Sequence, residues 1–244
     1  MTKHWFFGKS DQVAHEHSGK YYYSSSLFSY TWEQLVTAFW LRYPNPYSSH
    51  VLSEDVLDRR LTDDGKVVTI RVLSKTNHMP KWGERFIRGP QHVYIVEESI
   101  VDPVNKTLTT YSKNVGYTKV MTVDEKCVYQ PVSSDPSMAE LARSACIESH
   151  VFGFAKAIQA FGVERYKRNT TKTTNGFLYI LEHLFAASPA SDKGPESLSS
   201  RISALTAKAE TFREQARKAK EMAKTKTSDF LHASNTSGVP QSAS

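Results

Sequence analysis

The sequence is short of the features that would name a chemistry. It has only two cysteines, Cys127 and Cys146. They cannot build a disulfide framework, and no Cys-x-x-Cys or Cys/His zinc spacing exists. No metal and no cofactor is expected. There is no Gly-x-Ser-x-Gly elbow, no His-Glu-x-x-His helix and no phosphate-cradling glycine loop, so no catalytic constellation offers itself. His15-Glu16-His17 is too compact for the zinc motif. No apolar run approaches the roughly 20 residues of a membrane-spanning helix. Residues 1–20 lack the apolar core of a secretory signal, and they contain no arginine, which disfavours a mitochondrial transit peptide. They read as a mobile extension.

What is present is an ordinary globular balance. Of 244 residues, 39% are hydrophobic and 23% charged, which argues against wholesale disorder. The net charge of +6 is unevenly placed. Between Ser199 and Lys226 eight Lys/Arg stand against three Asp/Glu, while residues 1–198 are nearly neutral. A polybasic tail reads as a contact for anionic lipid, nucleic acid or an acidic partner, or as a solvated charged helix. Its apolar residues Leu198, Ile202, Leu205, Ala209 and Phe212 repeat at 4-3-4-3 intervals. That spacing suits a weak coiled-coil seam or an amphipathic face on anionic lipid.

Periodicity supplies the architecture. A first strand is expected around Tyr21 to Tyr30. Thr31 and Gln34 then have capping-box spacing, and Trp32, Leu35, Val36, Phe39 and Trp40 form one helical stripe. Pro44 and Pro46 end that helix by Tyr43. Six strands follow, over Val51–Arg60, Lys66–Lys75, His92–Asp102, Lys106–Asn114, Val120–Gln130 and Met138–His150. Short connections between them imply an antiparallel meander. The Thr76–Gln91 connection is the exception, and loops of that length are usually lids or binding loops. A long helix is expected over Val151–Phe185, then a Ser/Pro/Gly linker, a helical run over Leu198–Lys224 and a polar end. One helix laid across a curved sheet gives an α+β helix-grip fold of about seven strands around a cavity suited to an apolar ligand. A cavity without catalytic groups favours a carrier over an enzyme.

The string Arg42-Tyr43-Pro44-Asn45-Pro46-Tyr47-Ser48-Ser49-His50-Val51-Leu52 closely resembles the signature of the PRELI family of mitochondrial phospholipid-transfer proteins. Lys75-Thr76-Asn77, Met79-Pro80-Lys81-Trp82, Ser99-Ile100-Val101-Asp102-Pro103, Cys127-Val128-Tyr129, and Asn169 with Lys172 follow in the family's order. The resemblance implies a seven-stranded sheet and helices enclosing one lipid, over about residues 21–187. It implies a location in the mitochondrial intermembrane space and transient contact with anionic membranes. It also implies a 1:1 complex with a small helical partner carrying twin Cys-x9-Cys motifs. The chain looks like the PRELI-like members that move phosphatidic acid, which feeds cardiolipin synthesis; relatives of similar sequence carry phosphatidylserine.

Phosphatidic acid brings a phosphomonoester of between about −1 and −2 charge near neutral pH. Taking it out of water requires nearby cations and donors. Arg42, Lys75, Arg165 and Lys172 coincide with the family's lipid-contact positions, and Asn169 would donate a neutral hydrogen bond. His50 sits at the cavity mouth in this reading, although a histidine satisfied within the fold fits equally. Met79, Pro80 and Trp82 read as a mobile apolar lid that opens at the membrane, or as a satellite cluster pinning the loop. Two positions depart from the family's lysines, which become His78 and Arg165 here. A lipid-modifying enzyme and a nucleic-acid binder working through the tail are the rivals from other classes.

Overall fold

The computed structural model describes residues 19–76, 92–185, 197–208, 210–211 and 214. Seven antiparallel strands form one open sheet: β1 (Lys20–Phe28), β2 (Val51–Leu61), β3 (Val67–Thr76), β4 (His92–Asp102), β5 (Thr107–Asn114), β6 (Thr122–Val132) and β7 (Asp135–Glu148). Their order is β1-β7-β6-β5-β4-β3-β2, a meander closed at one side by the first strand pairing with the last. Helix α1 (Trp32–Trp40) links β1 to a short 3-10 turn at Pro46–Ser48, and α2 (Ala155–Phe185) lies across the sheet. This is the helix-grip arrangement that the periodicity anticipates.

The expected cap of α1 forms in both directions. The Gln34 amide donates to Thr31 Oγ1 at 3.4 Å, and the Thr31 amide donates to Gln34 Oε1 at 2.9 Å. Leu35 and Phe39 are fully buried, and the helix packs with Phe28, Tyr129, Phe177 and Leu181 in the main core. Helix α2 begins four residues later than its apolar pattern suggests. Gly153 takes φ +74°, and the Phe154 amide closes a turn on the Val151 carbonyl at 3.0 Å, so the chain must turn before the helix can start. The β6–β7 connection shrinks to Ser133-Ser134, with Asp135 and Pro136 already in β7.

The basic tail begins as part of the core. Residues 198–208 are helical, Leu205 is buried in the main cluster, and Ile202 packs against it. Arg201 donates to the Leu184 carbonyl at 3.1 Å near the end of α2. The first turns of the 4-3-4-3 seam thus face their own protein. The rest of the seam, residues 1–18 of the expected mobile extension and the expected lid residues Met79, Pro80 and Trp82 lie outside the described residues, while Lys20, placed in that extension by the sequence, already belongs to β1.

The signature string holds α2 in place. Asn45 is buried; its Nδ2 donates to the Arg42 carbonyl at 2.6 Å and its Oδ1 accepts from the Tyr47 amide at 2.9 Å. A Cβ on Gly176 would lie 2.5 Å from that Oδ1. Gly176→Ala should therefore destabilise by about 1–3 kcal/mol through overpacking, despite alanine's gain of about 1 kcal/mol in helix propensity. Urea denaturation measures this, and a stabilised variant would show that Asn45 can move aside.

Candidate functional site

Between α2 and the concave face of the sheet lies a cavity of about 250 Å³. Its apolar walls come from Leu73, Val93, Ile95, Met121, Ile158 and Phe161. It runs inward from one end of the sheet, where β2 starts, β3 ends and the β5–β6 connection folds over, to Glu97 and Tyr129 beneath α1.

At the outer end the register of β2 and β3 sets the site. Val51 pairs with Lys75, and the Thr76 amide donates to the His50 carbonyl at 2.9 Å. His50 and Lys75 therefore arrive side by side from two strands. Arg165 and Asn169 reach the same cavity from α2, one turn apart. Lys172 is exposed on that helix and does not line the wall, yet its charge still acts on His50. The His50 ring registers the whole group. Its pKa is pushed down to about 4, first by burial and then by the charges of Lys75, Lys172 and Arg165. Burial also lowers the pKa of Arg165, with Arg168 adding to the effect. Four of the six expected headgroup residues thus form one electropositive mouth, and Asn169 lines it.

Arg42 is placed elsewhere. It lies at the inner end of the cavity, 7% exposed, and its Nη2 donates to both Glu97 carboxylate oxygens at 2.9 and 2.7 Å. Arg71 pairs with the same carboxylate and with Glu54. Burial raises the Glu97 pKa, but the charges and hydrogen bonds of Arg42 and Arg71 outweigh it and hold the carboxyl below its ordinary value. The two guanidinium groups sit 4.1 and 4.5 Å from the centroid of the Phe39 ring. Two arginines balance two glutamates here, so Arg42 presents a matched charge.

A second polar group lies under α2, across Ser112 from Glu97 in the sheet, and the sequence reading missed it. Tyr166 donates to Glu125, which also pairs with Arg143 at 3.1 Å and accepts from Ser112 Oγ at 3.1 Å. Arg143 Nε also reaches Cys127 Sγ at 3.5 Å. Burial, with Glu125 adding, pushes the Cys127 thiol up to about 12, so it keeps its proton. The signal for both groups was a charge at an inward strand position, such as Glu97 two residues after Ile95.

The model of the PRELI-like family matches residues 33–188. The chain belongs to the PRELI-like family. Among its PRELI-like relatives, PRELI domain-containing protein 1, mitochondrial, from Gallus gallus is 45% identical over 174 residues, covering 70% of this chain and 81% of that protein. The Homo sapiens protein of the same name is 46% identical over 173 residues, covering 70% and 79%. Protein UPS1, mitochondrial, from Saccharomyces cerevisiae is 32% identical over 161 residues, covering 66% and 92%. Among solved structures, the Zhui aromatase/cyclase from Streptomyces sp. R1128 superposes with a TM-score of 0.50 at 8% identity, covering 70% of this chain and 99% of that one. That likeness concerns the fold alone, and it is a helix-grip likeness. The PRELI-like match is also the family that the Arg42–Leu52 string resembles.

His50 gives the site a pH signature. Its folded pKa lies below the value of about 6.5 for an unfolded histidine, so in acid the unfolded chain takes a proton that the folded chain refuses. The stability at stake is intact above pH ~6.5 and falls towards pH ~4, by up to about 1.4 kcal/mol per pH unit. His50→Gln should flatten this acid limb in melting curves recorded against pH. An unchanged slope would show that neither burial nor the three cations hold the ring's pKa down.

Proposed function

We propose that this chain is a non-enzymatic carrier that takes up one phosphatidic acid at a time and moves it from the outer to the inner mitochondrial membrane, supporting cardiolipin synthesis. The observation that carries the reading is the joining of an apolar cavity to a mouth where Lys75, Arg165 and Lys172 surround His50. The walls suit an acyl chain, and the mouth suits a compact anion. Asn169 would add a neutral donor to a phosphate oxygen. In this reading Arg42 shapes the inner wall and leaves the headgroup to the other cations. Carriage without chemistry accords with the interior, where the Cys127 thiol is held protonated and Tyr166 is raised well above its ordinary pKa by burial and Glu125.

The mitochondrial names of the relatives support the intermembrane-space location. The small twin Cys-x9-Cys partner belongs to the same reading, and co-expression with it should yield a 1:1 complex by light scattering. Mass spectrometry of lipid co-purified with the chain tests the cargo. Intact phosphatidic acid is expected; phosphatidylserine alone would overturn the headgroup assignment, and a chemically altered lipid would overturn the carrier.

A further inference from the structure

The turn that leads from β7 into α2 holds an aromatic side chain out in solvent. Phe152 is 98% exposed, the highest value among the large apolar side chains of the described residues. Phe154 is 51% exposed, and so is Val115 in the β5–β6 connection at the same end of the sheet. The exposure is built in. The Phe154 amide closes the turn on the Val151 carbonyl at 3.0 Å, and the Ile158 amide carries the pattern on from the Phe154 carbonyl at 3.0 Å. Gly153 supplies the φ of +74° that side-chain-bearing residues rarely adopt, which leaves Phe152 at the tip.

The position of this tip matters. The first two turns of α2 bring Ile158, Phe161 and Gly162 into the cavity wall, where they meet Val120 and Met121 of the β5–β6 connection. A Cβ on Gly162 would lie 2.6 Å from Met121 Sδ, so helix and connection are tightly seated. Phe152 therefore stands at the end of the sheet onto which the cationic mouth opens. Among the described residues, the turn with the start of α2 and the β5–β6 connection carry lysines as their charged side chains, with Glu148 and Glu164 standing just outside them. Lys119 and Lys156 are exposed there, and residues 115–121 and 149–163 contain no Asp or Glu.

We propose that the Val151–Phe154 turn is a membrane anchor: Phe152 and Phe154 enter the interfacial layer of an anionic bilayer while Lys119 and Lys156 meet its headgroups. This rests on the carrier reading and adds how the mouth is held against the donor surface. An aromatic ring gains by leaving water for the interface, and lysines beside it select anionic lipid. A fixed turn presents the ring without first having to order a loop.

The test uses the full chain and flotation with vesicles of phosphatidylcholine alone or with cardiolipin. Phe152→Ser should weaken binding to the cardiolipin vesicles about tenfold, with an unchanged melting temperature, and Phe152→Leu should retain most of it. Lys156→Glu should weaken binding to cardiolipin vesicles but leave the weaker binding to phosphatidylcholine alone unaltered. Phe152→Ser binding as tightly as the unmodified chain would overturn the proposal. So would a variant that floats normally but no longer forms a complex with a protein partner, since the ring would then serve that interface. Binding of phosphatidic acid delivered in detergent is followed in parallel. Its failure in the unmodified chain would sink the carrier reading, while flotation would still decide the anchor.

Discussion

Glu97→Ala is expected to cost about 3–5 kcal/mol, because it leaves two buried arginines facing each other without their shared carboxylate. For a domain of this size that corresponds to a fall in melting temperature of roughly 6–20 °C. Arg42, Arg71 and Glu97 are all under a tenth exposed, so water cannot replace the lost partner. The Phe39 ring, in contact with both guanidinium groups, would lose its clamp as well. Glu97→Gln keeps an acceptor in place and should be milder, though still one charge short. Arg42→Ala belongs to the same class and should fail as a folding variant before it fails as a lipid-binding one. Melting curves for the three variants within a few degrees of the unmodified protein would show that the network is not structural.

Lys75→Ala should behave in the opposite way. If the mouth holds the phosphate as proposed, removing one of its cations under-compensates that anion and should cost roughly 1–3 kcal/mol of lipid binding, about a 5- to 150-fold loss in affinity that transfer assays should register. Melting temperature without lipid should hold or rise, since the remaining cations repel each other less. Lys172 is exposed and screened, so Lys172→Ala should fall at the small end of that range. A second readout is independent of lipid. The His50 ring should titrate at higher pH in Lys75→Ala than in the unmodified chain, because one of the charges depressing it has gone. Wild-type transfer rates together with an unmoved His50 titration would place the headgroup elsewhere.

Local signals were enough for much of the fold. The Thr31–Gln34 cap and the apolar stripe of α1 are contained within about ten residues, and both formed. Strand existence was legible from alternation, but the face was not. Val68 and Ile70 are a buried stripe, as their alternation suggests, yet they lie on the face turned away from the cavity. The inward residues of β3 are Arg71, Leu73 and Lys75, and only the register with β2 and β4 decides this. Arg42 illustrates the same limit. It sits in the signature string beside residues that do line the mouth, but its partner Glu97 lies 55 positions away. No local pattern announces that pair, so Arg42 reads from sequence as one more headgroup cation.

The mouth itself was better represented. Lys75, Arg165, Asn169 and Lys172 could be named only through the resemblance, which aligns them with the family's lipid-contact positions, and a seven-residue spacing puts Arg165 and Lys172 on one side of α2. The start of that helix was missed because Gly153 acts through a positive φ, which an apolar period does not encode. The tail was misleading for a different reason. Its heptad-like spacing carries no information about which surface it meets, and Leu205 turned out to meet the core.

The proposed role is to carry an anionic phospholipid without altering it. Transfer of labelled phosphatidic acid from donor to acceptor liposomes, with the lipid re-extracted and weighed by mass spectrometry, bears on it most directly. The expected result is transfer well above the protein-free rate, every labelled molecule recovered intact, and a clear loss on Lys75→Ala at unchanged melting temperature. Transfer no faster than without protein, or recovery of a converted lipid, would contradict it.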